Sequence, residues 1–205
     1  MDNYGNVDPG LWADLALDME LSRPGKNLAW TGALKLAYPR VRSEFVMFLN
    51  DDTEFELRPD GLTKLLSHFD DPEVASVGPA TGVAMGRQSV EGPDVEQVKL
   101  LVGFCVILRK SALEEVGGVN DKWPLGDDVD LSIRLNKAGK KMILDRRVFV
   151  YHHAFKTGTR IYGTARKPGG WNSEQMVSEI YQKIILEHGT ERFLECLGEN
   201  STVSP

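Results

Sequence analysis

The chain of 205 residues has 41% hydrophobic and 26% charged residues and a net charge of -6. This fits one ordinary globular domain, with or without a tail, and argues against general binding to nucleic acid, which requires a basic surface. Cys105 and Cys196 are far apart and form no metal or redox spacing, the start MDNYGNVDPG has no basic-then-apolar leader, and no apolar run nears the roughly 18 residues that span a membrane, so a reducing, cytoplasmic setting is expected.

In chain order, Leu11, Trp12, Leu15 and Met19 recur at helical spacing behind Asp8 and predict a helix from Pro9 to Met19. SRPGKN, 22–27, is a loop, and a second helix is expected from Leu28 to Tyr38, where Pro39 helps to end it. EFVMFL, 44–49, is too short and too apolar for a surface helix and reads as a strand. A helix from Asp60 to Phe69 puts Leu62, Leu65, Leu66 and Phe69 on one side, and Glu73 to Val77 is a short strand. Residues 78–94, rich in Gly and Pro, form a loop, and Gln97 to Leu108 reads as one strand bent at Gly103. Ser111 and Glu114 have capping-box spacing for a short helix that Gly117 and Gly118 end. Val129 to Ala138 is a helix stopped by Gly139, and Lys141 to Tyr151 is a strand. Residues 154–171 are loop, and Asn172 to His188 is a final amphipathic helix before frayed residues. Strands alternating with helices predict an α/β fold of three layers around a mainly parallel sheet. Ligands of such sheets bind beyond the carboxyl ends of the strands.

Four stretches carry candidate chemistry. The apolar run VMFLNDDTEF, 46–55, stops at Asn50, Asp51 and Asp52. Buried carboxylates are costly unless a cation or hydrogen-bond donors compensate them. Residues 50 and 52 share a side of an extended chain, and acids beyond a strand suit a hard divalent ion that also binds phosphate; a plain turn uses the same residue types. In PLGDDVDLSIRLNKAGKK, 124–141, Asp127, Asp128 and Asp130 open a helix, where negative charge is favourable. Three acids in four residues exceed what a helix start needs, and one of them facing a pocket would serve as a general base. The spacing lacks the central Gly and terminal Glu of a calcium loop. VFVYHHAF, 148–155, ends a strand in His152 and His153, read either as ligands of a metal or phosphate or as structural imidazoles. Residues 154–171 hold Lys156, Arg160, Arg166 and Lys167, four glycines and no acid, which reads as a basic lid over a diphosphate or as a solvated loop. Trp123 and Trp171 read as platforms for a sugar face or as core aromatics. No Walker loop, dinucleotide fingerprint or serine-nucleophile motif is present.

GKNLAWTGALKLA (25–37), FLNDDTEF (48–55), VGPA (77–80), GFCVILRKSALEEVGGVND (103–121) and GDDVDLSIRLNKAGKKMILDRRVFVYHH (126–153) follow one another in an order that resembles a known family. It is that of the inverting, family 2 glycosyltransferases with the A-type nucleotide-sugar fold, and most of all their bacterial rhamnosyltransferase-type members. The resemblance covers roughly residues 22–153 and implies a catalytic domain over 1–153, with 154–205 a basic loop and helix packed on it. It implies transfer of a sugar, with inversion, from a UDP-, GDP- or dTDP-type donor to a hydroxyl of a saccharide or lipid-linked acceptor.

Residue by residue, the resemblance gives Asp52 the metal-binding place in an aspartate-x-aspartate motif, holding Mn²⁺ or Mg²⁺ against the donor diphosphate. Asn50 stands at its first position and Asp51 at its variable middle. Asp128 matches the catalytic base and Asp127 the acid before it. His152 or His153, His152 preferred, matches a histidine that helps to hold the metal or diphosphate. Asp2 and Asn27 fall in donor-binding segments, and Lys156 and Arg160 would meet the diphosphate. Against the family pattern, Ala29 replaces a Gly and Leu34 an Asn, and MDNYGN matches a turn that follows the second strand, so a form lacking the first strand is expected. A sheet short of that strand offers an edge that a second copy could cover, which makes a homodimer an expectation. The other reading is a binding module for a nucleotide or sugar without catalysis.

Overall fold

The computed structural model describes residues 20–55, 60–82, 88–154 and 174–198. Asp2, the helix expected from Pro9 to Met19, the basic stretch with Lys156, Arg160, Arg166 and Lys167, Trp171 and residues 199–205 lie outside the described residues. The elements are helix α1 (Ala29–Ala37), strands β1 (Phe45–Leu49) and β2 (Thr53–Phe55), helix α2 (Gly61–Ser67), strands β3 (Val74–Ala80), β4 (Val95–Val98) and β5 (Cys105–Arg109), helices α3 (Lys110–Glu115) and α4 (Asp127–Lys137), strand β6 (Lys141–His152), and helices α5 (Glu174–His188) and α6 (Thr190–Leu197).

The period-2 alternation of β1 explains the layers. Phe45 and Met47 face one cluster with Leu65 and Phe69 of the α2 region, while Val46 and Phe48 face another with Leu34, Leu113 and Leu135 from α1, α3 and α4. Helices therefore cover both faces of the sheet, as the three-layer expectation requires. Helices α5 and α6 add a third cluster, in which Ile180, Ile184, Phe193 and Cys196 pack on Val129 and Ile133 of α4. Among the described residues no helix is long and apolar enough to cross a membrane.

The sheet runs β1-β5-β3-β6-β2, with β4 also on β6. It is mixed rather than mainly parallel: among the described residues β3 and β6 pair in parallel and the other pairs are antiparallel. Because β5 runs against both β1 and β3, and β3 runs with β6, the strands β1, β3 and β6 point the same way. Their carboxyl ends meet along one edge.

Three further expectations need correction. The strand read from Gln97 to Leu108 is two strands, because Leu101, Val102 and Gly103 turn their N–H groups to the side chains of Ser132, Gln88 and Asp128 instead of a sheet partner. Helix α3 starts at Lys110, so Ser111 lies inside it and no side chain caps it. Helix α6 occupies residues that look frayed in sequence; it is held by burying Phe193 and Cys196.

Candidate active site

The first half of the site forms where β1 ends. The Asn50 N–H donates to the Phe104 carbonyl at 2.8 Å, and the Thr53 hydroxyl donates to the Asn50 carbonyl at 2.7 Å. These bonds fix the turn that carries Asp51 and Asp52. The short strand β2 then pairs Thr53 with His152 at the end of β6, and the His153 N–H closes on the Asp52 carbonyl at 2.9 Å. As a result His152 Nε2 lies 3.4 Å from Asp52 Oδ1 and 3.3 Å from Asn50 Nδ2. Its ring stacks on Phe104 with centroids 5.0 Å apart. The Asp52 and His152 side chains are 14% and 13% exposed.

One carboxylate oxygen and one imidazole nitrogen, with an amide beside them, fit a Mn²⁺- or Mg²⁺-type ion that takes its remaining ligands from phosphate and water. Among the described residues His152 Nδ1 is buried without a hydrogen-bond partner, and the ring meets the Phe104 stack and its contacts at Nε2. The structure separates the two imidazoles: the His153 ring lies 3.5 Å from the exposed Glu54, while the His152 ring lies beside Asp52. Asp51 is exposed on the turn. The Asn27 carboxamide accepts the Ala29 N–H at 2.8 Å and so shapes the start of α1.

The second half forms at the start of α4. Gly126 precedes the helix with φ 78°, a left-handed conformation open to glycine. A Cβ there would lie 3.0 Å from Ile184 Cδ1 and 3.3 Å from Ile180 Cγ2, so α5 seats this helix end. Asp128 accepts the Val129 N–H at 2.9 Å and faces the Gly103 N–H at 3.5 Å. Asp127 faces the indole Nε1 of Trp30, which favours its charged form. A cavity of about 30 Å³, room for roughly one water, adjoins both acids and is backed by Leu34, Phe48 and Leu101. Burial against this apolar wall, and then the charge of Asp128, raise Asp127 to about 7. Burial also raises Asp128, opposed by its backbone donors. Two adjacent carboxyls of this kind suit a base that works near neutral pH.

Residues 103 and 104 join the halves. Gly103 meets Asp128, and Phe104 meets both Asn50 and His152. Sequence reasoning missed Trp30, Phe104 and Gln88; their contacts cross between elements and leave no local spacing to read. It grouped Asp130 with its neighbours, yet Asp130 is fully buried, bound by Arg134 at 2.7 Å and His188 at 2.8 Å. Asp130, Glu187 and His188 bring ligand atoms within 4.8 Å of one another, but the Arg134 guanidinium already meets the Asp130 charge. Trp123 is 8% exposed and belongs to the core cluster of α4, α5 and α6, not to a sugar platform.

No protein-family model matches the chain. Among solved structures, mannosyltransferase PcManGT from Pyrobaculum calidifontis, in complex with GDP-Man and Mn²⁺, superposes with a TM-score of 0.64 and 17% identity, covering 92% of this chain and 53% of that one. GalNAc-T7, solved with UDP, GalNAc and Mn²⁺, superposes with a TM-score of 0.55 and 13% identity, covering 85% of this chain and 44% of that one. The chain has the A-type glycosyltransferase fold. Sequence relatives agree with this A-type fold. O-antigen biosynthesis protein RfbC of Myxococcus xanthus is 28% identical over 176 residues, 72% of this chain and 13% of the relative. A pre-mycofactocin glycosyltransferase of Mycobacterium tuberculosis is 28% identical over 128 residues, 54% of this chain and 27% of the relative. An N-acetylglucosaminyl-diphospho-decaprenol L-rhamnosyltransferase of the same organism is 38% identical over 74 residues, 35% of this chain and 24% of the relative. The chain thus spans 13% to 27% of the length of these relatives. The resemblance to glycosyltransferases, rhamnosyltransferase-type members included, is borne out.

Proposed function

We propose that this chain carries the metal and acceptor sides of an inverting glycosyltransferase, which moves a sugar from a nucleoside-diphosphate sugar to a hydroxyl of a saccharide or lipid-linked acceptor. The observation that carries this reading is the link at residues 103 and 104, which holds an acid pair beside a separate carboxylate–imidazole cluster. Asp128 takes the proton of the acceptor hydroxyl as that oxygen bonds to the anomeric carbon. The bond from that carbon to the diphosphate breaks on the opposite face, and the nucleoside diphosphate leaves with the electron pair. Asp127 orients the acceptor beside Asp128. Asp52 and His152 would hold the divalent ion, with Asn50 turned to the sugar or ribose; when bound, that ion offsets the charge on the leaving diphosphate. Holding donor and acceptor in register supplies much of the remaining rate. Lys156 and Arg160 are proposed to meet the diphosphate from the basic stretch.

The test is calorimetric titration of the chain with UDP, GDP and dTDP, each with and without Mn²⁺, followed by transfer assays with the matching sugar donors. Metal-dependent binding of one nucleotide is expected. Binding of none, or binding that ignores Mn²⁺, would overturn the metal-site reading.

A further inference from the structure

The link at residues 103 and 104 needs its own support, since Val102 and Gly103 lie outside any strand. Gln88 provides it. This side chain is 2% exposed. Its Oε1 accepts the Val102 N–H at 2.8 Å, its Nε2 donates to the Pro79 carbonyl at 2.8 Å, and its own carbonyl accepts the Thr81 N–H at 3.1 Å. Both ends of the amide are therefore used, and a buried amide so satisfied is held in one orientation. The space for it comes from Gly78, where a Cβ would lie 3.1 Å from Gln88 Nε2. VGPA, 77–80, thus has a physical reason: a glycine that leaves room and a proline that offers a carbonyl.

We infer that Gln88 is a positioning residue, which ties the end of β3 to residues 102–104 and so sets the register between Asp128 and the Asn50–Asp52–His152 cluster. Gln88 touches neither half of the site. Val102 is its point of contact; Gly103 carries the effect to Asp128, and Phe104 carries it to Asn50 and His152. Loss of the clamp leaves each half intact and loosens one against the other. A misplacement on the order of 1 Å is enough to cost about 100-fold in rate. This inference rests on the proposed division into a metal half and an acid half.

The test uses Gln88→Met, which keeps the volume and removes both bonds, and Gln88→Glu. Mn²⁺ alone is added to the ¹⁵N-labelled chain, and broadening of the backbone amides of Phe104, beside the metal half, and Val129, beside Asp128, is compared. In the native chain both amides broaden in a fixed ratio. In Gln88→Met the Phe104 effect is retained and the Val129 effect shifts relative to it. Where transfer is measurable, kcat falls about 100-fold while the affinity for Mn²⁺ with nucleotide stays unchanged. In Gln88→Glu the ionised carboxylate still accepts from Val102 but cannot donate to Pro79, so the native ratio is changed there as well. An unchanged ratio in Gln88→Met, or losses of affinity and rate in step that merely follow the unfolded fraction, would refute the positioning role. Should Gln88→Met not fold, a Gln88→Glu ratio equal to the native one refutes it. Absence of broadening at Phe104 in the native chain would instead overturn the metal half, and this inference with it.

Discussion

Helix α4 opens with acids of opposite fate. Asp130 is met on every side: Arg134 binds one oxygen, and His188 at 2.8 Å and Asn120 at 3.3 Å reach the other. Asp127 and Asp128, one turn or less away, have among the described residues only neutral donors, namely the Trp30 indole, their own backbone N–H groups and those of Val129 and Gly103. Among the described residues no cation is bonded to either. A compensated buried acid is a fastening, and an uncompensated one keeps its proton affinity available for chemistry. Asp145 repeats the first pattern on β6, buried between His68 and Arg147. The difference lies in the partners, since the residue type is the same.

The contrast can be broken first at Asp128. Asp128→Asn is expected to lower transfer by about 10²–10⁴-fold, with nucleotide affinity nearly unchanged and no loss of stability. A variant that still transfers at the native rate would remove Asp128 as base, and a chain that binds nucleotide yet never transfers would favour the binding-module reading. Asp130→Asn is expected to act the other way. It leaves Arg134 and His188 facing a neutral amide and costs about 3–5 kcal/mol in urea unfolding. An effect as small as that of a surface substitution would show that the cluster is not a fastening.

A third comparison uses pH. Asp127 holds its proton to about 7 in the folded chain, against an ordinary value of 3.8. Between those two values the native state binds the extra proton, so stability is fully present below about pH 4, falls as pH rises towards 7, and then levels off. Asp127→Asn is expected to flatten that slope and so to be more favourable to stability at pH 8 than at pH 4. Equal effects of the substitution at both pH values, measured by thermal or urea unfolding, would contradict this. The smallest expected change sharpens the other half of the site. Asp52→Ala is expected to weaken Mn²⁺-dependent nucleotide binding at least about tenfold, since one of the two proposed metal donors is lost. Unaltered metal dependence by calorimetry would take Asp52 out of the site.

Much of this was legible in the chain itself. The apolar alternation of 45–49, the acids behind it, the acidic start of α4 and the histidine at the end of β6 all stand where local pattern puts them. Separating the surroundings of His152 and His153 took the packed chain, in which His152 meets Asp52 and Asn50 while the His153 ring faces Glu54. The break between β4 and β5 was not legible: VKLLVGFCVIL is apolar enough for one strand, and only the side chains of Ser132, Gln88 and Asp128 draw its backbone aside.

By itself, then, the sequence determined the order of elements, the layered α/β class and the residue types at the strand ends, since these follow from periodicity and composition along the chain. The tertiary structure alone decided that the sheet is mixed, that Asp130 meets Arg134 and His188 while Asp127 and Asp128 meet no cation among the described residues, and that Gln88 bonds to Val102 and Pro79. Charge compensation and strand pairing depend on distance through space, and residues as remote in sequence as Asp130 and His188, or Asn50 and His152, become neighbours only once the chain has packed.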